Sequence, residues 1–248
     1  WKRARTECEK VHPGCLWLAE TVHRSFNAYC RREGMYSARD TEAYEAFDIE
    51  YEYDVREVFD AYLRGEAPLS HWLDTLCFQE AVYPENYNKL RFLENHDQPR
   101  IASLVPSEGD LKNLTAMLYF LKGTTLLYAG QEFRNTHLPS LFEKEPIDRD
   151  MGYDLSRYMR RLYEIKRDVL GSDDDFAARA DDERHIAVLE RVGAGGKKVG
   201  VFSLRSACGD ASVPLADGIY KNHIDSEPVV VEGGTLRCGG QPLILTEG

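Results

Sequence analysis

Positive charge, long apolar runs and ordered cysteines are all scarce in this 248-residue sequence, and each scarcity closes a class of function. The 31 lysines and arginines stand against 42 aspartates and glutamates, for a formal net charge of −11. Such a surface repels phosphate backbones and anionic membranes, so neither nucleic acid nor a membrane is expected as a partner. A neutral sugar is indifferent to that charge. No apolar run reaches about 18 residues, the length a membrane-spanning helix needs. The N-terminus lacks the basic, apolar and small-residue series of a signal peptide, although Trp1-Lys2-Arg3-Ala4-Arg5 is no natural start and leaves a lost one open. Six cysteines (Cys8, Cys15, Cys30, Cys77, Cys208, Cys238) form no CxxC pair and no regular spacing, which argues against a zinc site or a disulfide framework. They read as free buried thiols, and unpaired thiols point to a reducing compartment, the cytoplasm. No fixed-period repeat and no low-complexity tract is present.

What is there is order of two kinds. From residue 1 to about 170, short apolar runs alternate with helical patterns, the signature of βα units and a parallel sheet. Cys15-Leu16-Trp17-Leu18-Ala19 ends in Glu20, Leu90-Arg91-Phe92-Leu93 ends in Glu94-Asn95-His96-Asp97, and Thr125-Leu126-Leu127-Tyr128-Ala129 ends in Gly130-Gln131-Glu132. Each passes from apolar to polar at its C-terminal end, as strands do when they deliver side chains to a barrel rim. A fourth, less regular strand is expected in Ala46-Phe47-Asp48-Ile49-Glu50-Tyr51. Val55, Val58, Phe59, Tyr62 and Leu63 line one helix face and Leu111, Leu114, Leu118 and Leu121 another, with Gly65 and Gly123 placed as C-terminal caps. A last helix runs through Leu155, Tyr158, Met159, Leu162, Ile165 and Val169, capped by Asp154. Beyond Gly171, Ser172-Asp173-Asp174-Asp175 reads as a linker and the period changes to two: residues 185–189, 198–202, 229–231 and 243–245 are short strands between glycine-rich turns such as Gly193-Ala194-Gly195-Gly196. Two domains are expected, 1–171 and 172–248, the second small and all-β.

Glu20 and Asp97 each leave an apolar strand, so one parallel barrel would bring both carboxylates to one rim. Two such groups suit glycoside cleavage, in which one protonates the leaving oxygen and another stabilises an oxocarbenium-like transition state. Trp17, Leu18 and Ala19 are expected to desolvate Glu20, raise its pKa and keep it protonated as an acid. Periodicity alone leaves this one possibility among several.

The strings themselves narrow it. Phe92-Leu93-Glu94-Asn95-His96-Asp97 resembles the F-x-x-N-H-D segment at the seventh barrel strand of the alpha-amylase family of retaining glycoside hydrolases. Trp17-Leu18-Ala19-Glu20 is similar to the fifth-strand segment that holds that family's general acid/base, and Tyr128-Ala129-Gly130-Gln131-Glu132 to its eighth-strand Y-x-G-Q-E segment. Residues 141–148 resemble the loop that often follows. The resemblance covers nearly the whole chain and implies an α/β fold, the second half of a (β/α)8 TIM barrel (strands five to eight), followed by a small all-β sandwich. It implies Glu20 as general acid/base, Asp97 as the carboxylate on the sugar hydroxyls of the cleavage subsite, His96 as a donor to the same sugar and Arg100 as a contact on the leaving-group side. Gln131 and Glu132 would support the rim by hydrogen bonds. The substrate implied is an α-glucan or maltooligosaccharide.

The family's nucleophile is an aspartate in a G-x-R-x-D segment ending the fourth strand. Residues 1–11 look like the helix after it, so the nucleophile is expected shortly before residue 1, with the first four strands and a frequent calcium site; no cofactor is expected in this part. The only Arg-x-Asp, Arg179-Ala180-Asp181, opens the β domain with no apolar strand ahead of it. An inactive part of a glycosidase is therefore expected, with open barrel edges prone to self-association or to meeting the missing half. Transglycosylation would use the same residues, and a carbohydrate-binding or scaffolding remnant is the reading from another class.

Overall fold

Charged residues, as well as apolar ones, build the sheet of the first 170 residues. The computed structural model describes residues 1–247. Helix α1 (Lys2–Val11) precedes β1 (Leu18–Ala19), then come α2 (Arg24–Arg32), α3 (Asp40–Ala43), β2 (Ile49–Tyr51), α4 (Arg56–Arg64), α5 (Leu69–Val82) and β3 (Lys89–Arg91). They are followed by α6 (Ile101–Leu104), α7 (Glu108–Phe120), β4 (Thr124–Thr125), a 3-10 turn at Gln131–Phe133 and α8 (Ser156–Asp168). The four strands pair in parallel in chain order, β1-β2-β3-β4, leaving β1 and β4 as the sheet's edges.

The ladder is shorter than the apolar runs and starts earlier in two of them. In β3 the paired residues are Lys89, Leu90 and Arg91, all buried. Lys89 sits opposite Glu50 of β2 and reaches its Oε2 at 2.9 Å, while Arg91 pairs with Glu52 and donates to Gln79 Oε1 at 3.0 Å. Cations enter this layer because carboxylates on the neighbouring strand receive them. A hydrophobicity pattern is blind to that exchange.

The helices follow the expected faces. Val58, Phe59 and Tyr62 are buried on α4, which closes at Gly65 in the left-handed conformation, φ 78°. Gly123 has a different task from the expected cap. Helix α7 has already ended and Leu121 is extended, but at φ 97° a Cβ on Gly123 would stand 2.5 Å from the Lys89 carbonyl oxygen, so only glycine lets β4 enter beside β3. Ahead of α8, Asp154 Oδ1 accepts the Ser156 N–H at 2.7 Å.

The second part comprises β5 (Asp175–Asp181), β6 (Ile186–Gly193), β7 (Gly196–Ser203), β8 (Gly209–Ser212), β9 (Gly218–Lys221), β10 (Pro228–Glu232), β11 (Thr235–Cys238) and β12 (Leu243–Glu247). They form two four-stranded antiparallel sheets, β12-β7-β6-β5 and β8-β11-β10-β9. Ile186, Val188, Val201 and Leu245 from the first meet Ala211, Val231 and Leu236 from the second. The first sheet's other face is buried too: Ala187, Leu189, Phe202, Leu204 and Ile244 belong to one apolar core with α4, α5, α7 and α8. Burial on both faces explains why β6 and β7 read as nearly continuous apolar runs. The change of secondary structure near residue 171 is therefore not a break in packing.

The expected linker is also pinned: Asp174 is buried, its carboxylate 3.1 Å from Lys198 Nζ, and β5 begins one residue later. All six cysteines are unpaired, as expected, but only Cys30 and Cys238 are buried; Cys8 and Cys208 are exposed. No described helix is long and apolar enough to cross a membrane.

Candidate active site

The parallel register puts the polar strand ends together. Leu18 pairs with Ile49 and Ala19 with Glu50, so Glu20 stands level with Tyr51. Ala19 is buried and Glu20 exposed, as the alternation of a strand requires. From the next strand the loop after Leu93 brings His96, whose Nε2 lies 3.5 Å from Glu20 Oε1 and 3.4 Å from Asp97 Oδ2. The side chains of Glu20, His96 and Asp97 are 51%, 37% and 46% exposed respectively, open to anything approaching the rim. The desolvation of Glu20 expected from Trp17, Leu18 and Ala19 is thus not found: Leu18 itself is exposed.

Beneath them lies an aromatic floor. Tyr51 and Tyr53 stack with centroids 5.6 Å apart and planes 11° from parallel, and Phe92 meets Tyr53 edge-on at 5.4 Å. Burial first, and then the Glu20 and Asp97 carboxylates, hold the Tyr51 phenol above its usual pKa. Buried Asn95 fastens loop to floor: its Nδ2 donates to Tyr53 Oη at 2.8 Å and its Oδ1 accepts the Asp97 N–H at 2.9 Å. The ligand atoms of Glu20, His96 and Asp97 lie within 4.8 Å of one another, close enough to share a cation, though open carboxylates commonly meet in this way without one.

Arg100 does not join the group. Its guanidinium is buried, 1% exposed, and is engaged by Glu94 Oε1 at 2.5 Å, by the Ala129 carbonyl at 2.8 Å and by the His137 carbonyl at 3.2 Å. Every bond it makes is to the protein, which replaces both the expected sugar contact and a plain surface arginine. Of the two residues expected to support the rim, Glu132 does so by accepting the Gly130 N–H at 2.9 Å. Gln131 is buried and its amide finds no partner among the described residues. Arg179 and Asp181 lie on β5 of the antiparallel part, engaged with Glu190 and the Arg184 turn, and not on the parallel sheet that carries the rim. Sequence reasoning missed Glu94, Asn95 and Tyr51 as members of the site's frame. Their signal was available in the F-x-x-N-H-D string and in the alternation of β2.

Residues 1–180 match the alpha amylase catalytic domain, and residues 177–245 match the bacterial alpha amylase C-terminal domain. The chain belongs to the alpha-amylase family. Among relatives in that family, a probable oligo-1,6-glucosidase of Bacillus subtilis is 31% identical over 109 residues, 37% of this chain and 19% of that protein. The crystal structure of an alpha-amylase from Lactobacillus plantarum superposes with a TM-score of 0.91 and 32% identity, covering 100% of this chain and 59% of that one. A maltogenic alpha-amylase from Thermotoga neapolitana gives 0.79 and 25%, covering 99% and 57%. The chain thus spans well under two thirds of these family members. Family membership gives the parallel sheet its identity as part of a TIM barrel, with the β sandwich behind it as the C-terminal domain.

Proposed function

We propose that this chain is the C-terminal part of a retaining glycosidase cleaving α-glucosidic bonds in α-glucans or maltooligosaccharides. The observation that carries the reading is the meeting of Glu20, His96 and Asp97 on one open rim, supported by relatives whose names are those of glucosidases and amylases. In it Glu20 protonates the glycosidic oxygen and later takes a proton from water, which suits a carboxyl open to both. Asp97 accepts bonds from the hydroxyls of the sugar being cleaved, bonds that tighten as the ring flattens, and His96 donates to the same sugar. A retaining route also needs a nucleophile. Among the described residues the cluster on the rim holds an acid/base and a stabiliser, Glu20 and Asp97, with His96 and no third carboxylate, so the chemistry is assigned to a longer chain. Unpaired thiols support a reducing compartment such as the cytoplasm for it.

The test is titration calorimetry of the chain with acarbose or maltotriose beside an assay for released sugar. Binding is expected without product, and Asp97→Asn or His96→Ala should weaken it about tenfold or more, the loss of one or two good hydrogen bonds at ~1–3 kcal/mol. No binding at all would sink the sugar site. Turnover abolished by Glu20→Gln would show instead that the catalytic set is complete in these residues, while binding indifferent to all three substitutions would favour a scaffolding remnant.

The sheet carries a second expectation. Its edge strands β1 and β4 have unpaired sides, and Leu16, Leu18 and Leu127 beside them are exposed, the features that recruit further strands. Sedimentation of the chain alone should therefore show concentration-dependent association, through these edges or with a chain bearing the other half of the barrel. A stable monomer across the micromolar range would refute it.

A further inference from the structure

The loop that carries His96 and Asp97 runs from Glu94 to Arg100, and its two ends are joined by an ion pair in which both side chains are fully buried. Glu94 spends both oxygens locally: Oε1 on Arg100 Nη1 at 2.5 Å and Oε2 on the Ile101 N–H at 2.7 Å. Arg100 spends its remaining donors on a different loop. Nη2 donates to the Ala129 carbonyl at 2.8 Å, Nε to the His137 carbonyl at 3.2 Å, and the guanidinium lies 4.3 Å from the centroid of the Tyr128 ring. Space around it is closed: a Cβ on Gly130 would come within 3.3 Å of Arg100 Nη2 and within 3.2 Å of Asn135 Nδ2. Asn135 in turn donates to the Asp148 carbonyl at 2.7 Å, which ties down the far end of the same loop.

A buried ion pair adds little net stability over an apolar pair of the same volume, but a planar guanidinium with acceptors at three of its nitrogens fixes direction as an apolar pair does not. We propose that Glu94 and Arg100 are positioning residues: this one buried pair couples the Glu94–Arg100 loop to the loop running from Ala129 to Asp148, and so sets where His96 and Asp97 stand. Its consequence for sugar binding rests on the glycosidase reading above. A lysine at position 100 keeps the charge next to Glu94 but, as a point donor, cannot also hold the Ala129 and His137 carbonyls.

The experiment is amide hydrogen exchange on the 248-residue chain and its Arg100→Lys and Glu94→Gln variants, with acarbose titration on each. In Arg100→Lys the amides of residues 95–101 and 129–137 should exchange at least about tenfold faster together, those of α7 and β7 should keep their protection, and acarbose should bind about tenfold more weakly. Glu94→Gln, isosteric, should loosen the same two segments and serves as the reading if Arg100→Lys does not fold. Exchange unchanged in both segments of a folded variant, a change in one alone, or a uniform loss that includes α7 and β7 overturns the proposal. So does a folded Glu94→Gln/Arg100→Met double variant with parental protection in both loops. A parent chain that fails to bind acarbose overturns the sugar-site reading instead, and the exchange data still decide the coupling.

Discussion

Lys89→Met is expected to destabilise the chain by about 3–5 kcal/mol at pH 9, where the buried carboxylates beside it are ionised and would be left without their cation, and by distinctly less at pH 5. Lys89 is fully buried, with Nζ 2.9 Å from Glu50 Oε2, 3.2 Å from Asp54 Oδ1 and 3.8 Å from Asp40 Oδ2. It also donates to Tyr83 Oη at 2.9 Å. Burial already pushes the Glu50 carboxyl up to about 8, against the pull of Lys89, and pushes Asp40 upward for the same reason. Without the cation both rise further. An acid whose folded pKa lies above its unfolded one holds a proton in the native state that the unfolded chain has released. Its stabilising contribution is therefore present below about 4.5 and lost as pH climbs through 8. Removing Lys89 raises the folded pKa further, so the variant goes on losing stability above pH 8, where the parent's loss levels off. Urea unfolding followed by circular dichroism at the two pH values is the check, and equal losses at both would refute the account. Adding Glu50→Leu should restore much of the stability, since an apolar pair replaces a charge left alone.

Phe202→Ala should cost about 3–5 kcal/mol and lower the melting temperature by roughly 10 °C for a chain of this size, while leaving one cooperative transition. Phe202 is on β7, in the all-β part, yet its ring meets Phe120 of α7 edge-on at 5.8 Å and shares a core with four helices of the first part. Polar bonds stitch the same seam. Asn113 Oδ1 accepts the Ser203 N–H at 2.8 Å, Asp110 Oδ1 accepts the Ser206 N–H at 2.6 Å, and Arg191 Nη1 donates to the Phe120 carbonyl at 3.0 Å. Melting followed by near-ultraviolet and far-ultraviolet circular dichroism should give coincident curves for parent and variant. Two separable transitions, of which the substitution moves one, would show that the halves fold independently.

Periodicity located α4, α7 and α8 well because a helix that buries one face must repeat its apolar residues at that spacing, and the faces of Tyr62, Leu114 and Leu162 do. It placed β3 and β4 poorly. Lys89 and Arg91 are charged residues inside a ladder, and their fitness there depends on Glu50 and Glu52, some 39 positions earlier. The strands β5, β8, β9 and β11 escaped notice for a related reason: half or more of their residues are exposed or only half-buried, so no apolar run marks them. At the site, Glu20, His96 and Asp97 were legible from the order of short strings, whereas Arg100 looked the same in sequence whether it met a sugar, water or Glu94.

By itself, then, the sequence determined the family, the parallel half-barrel with a β sandwich behind it, and which carboxylates reach the rim, because strand ends and motif order are local properties that survive without coordinates. Only the tertiary structure decided that Glu20 is open to solvent, that the two parts share one core and that Arg100 is buried between two loops. Each of those depends on which distant residues occupy the space beside a side chain, and burial and ion pairing are properties of that neighbourhood.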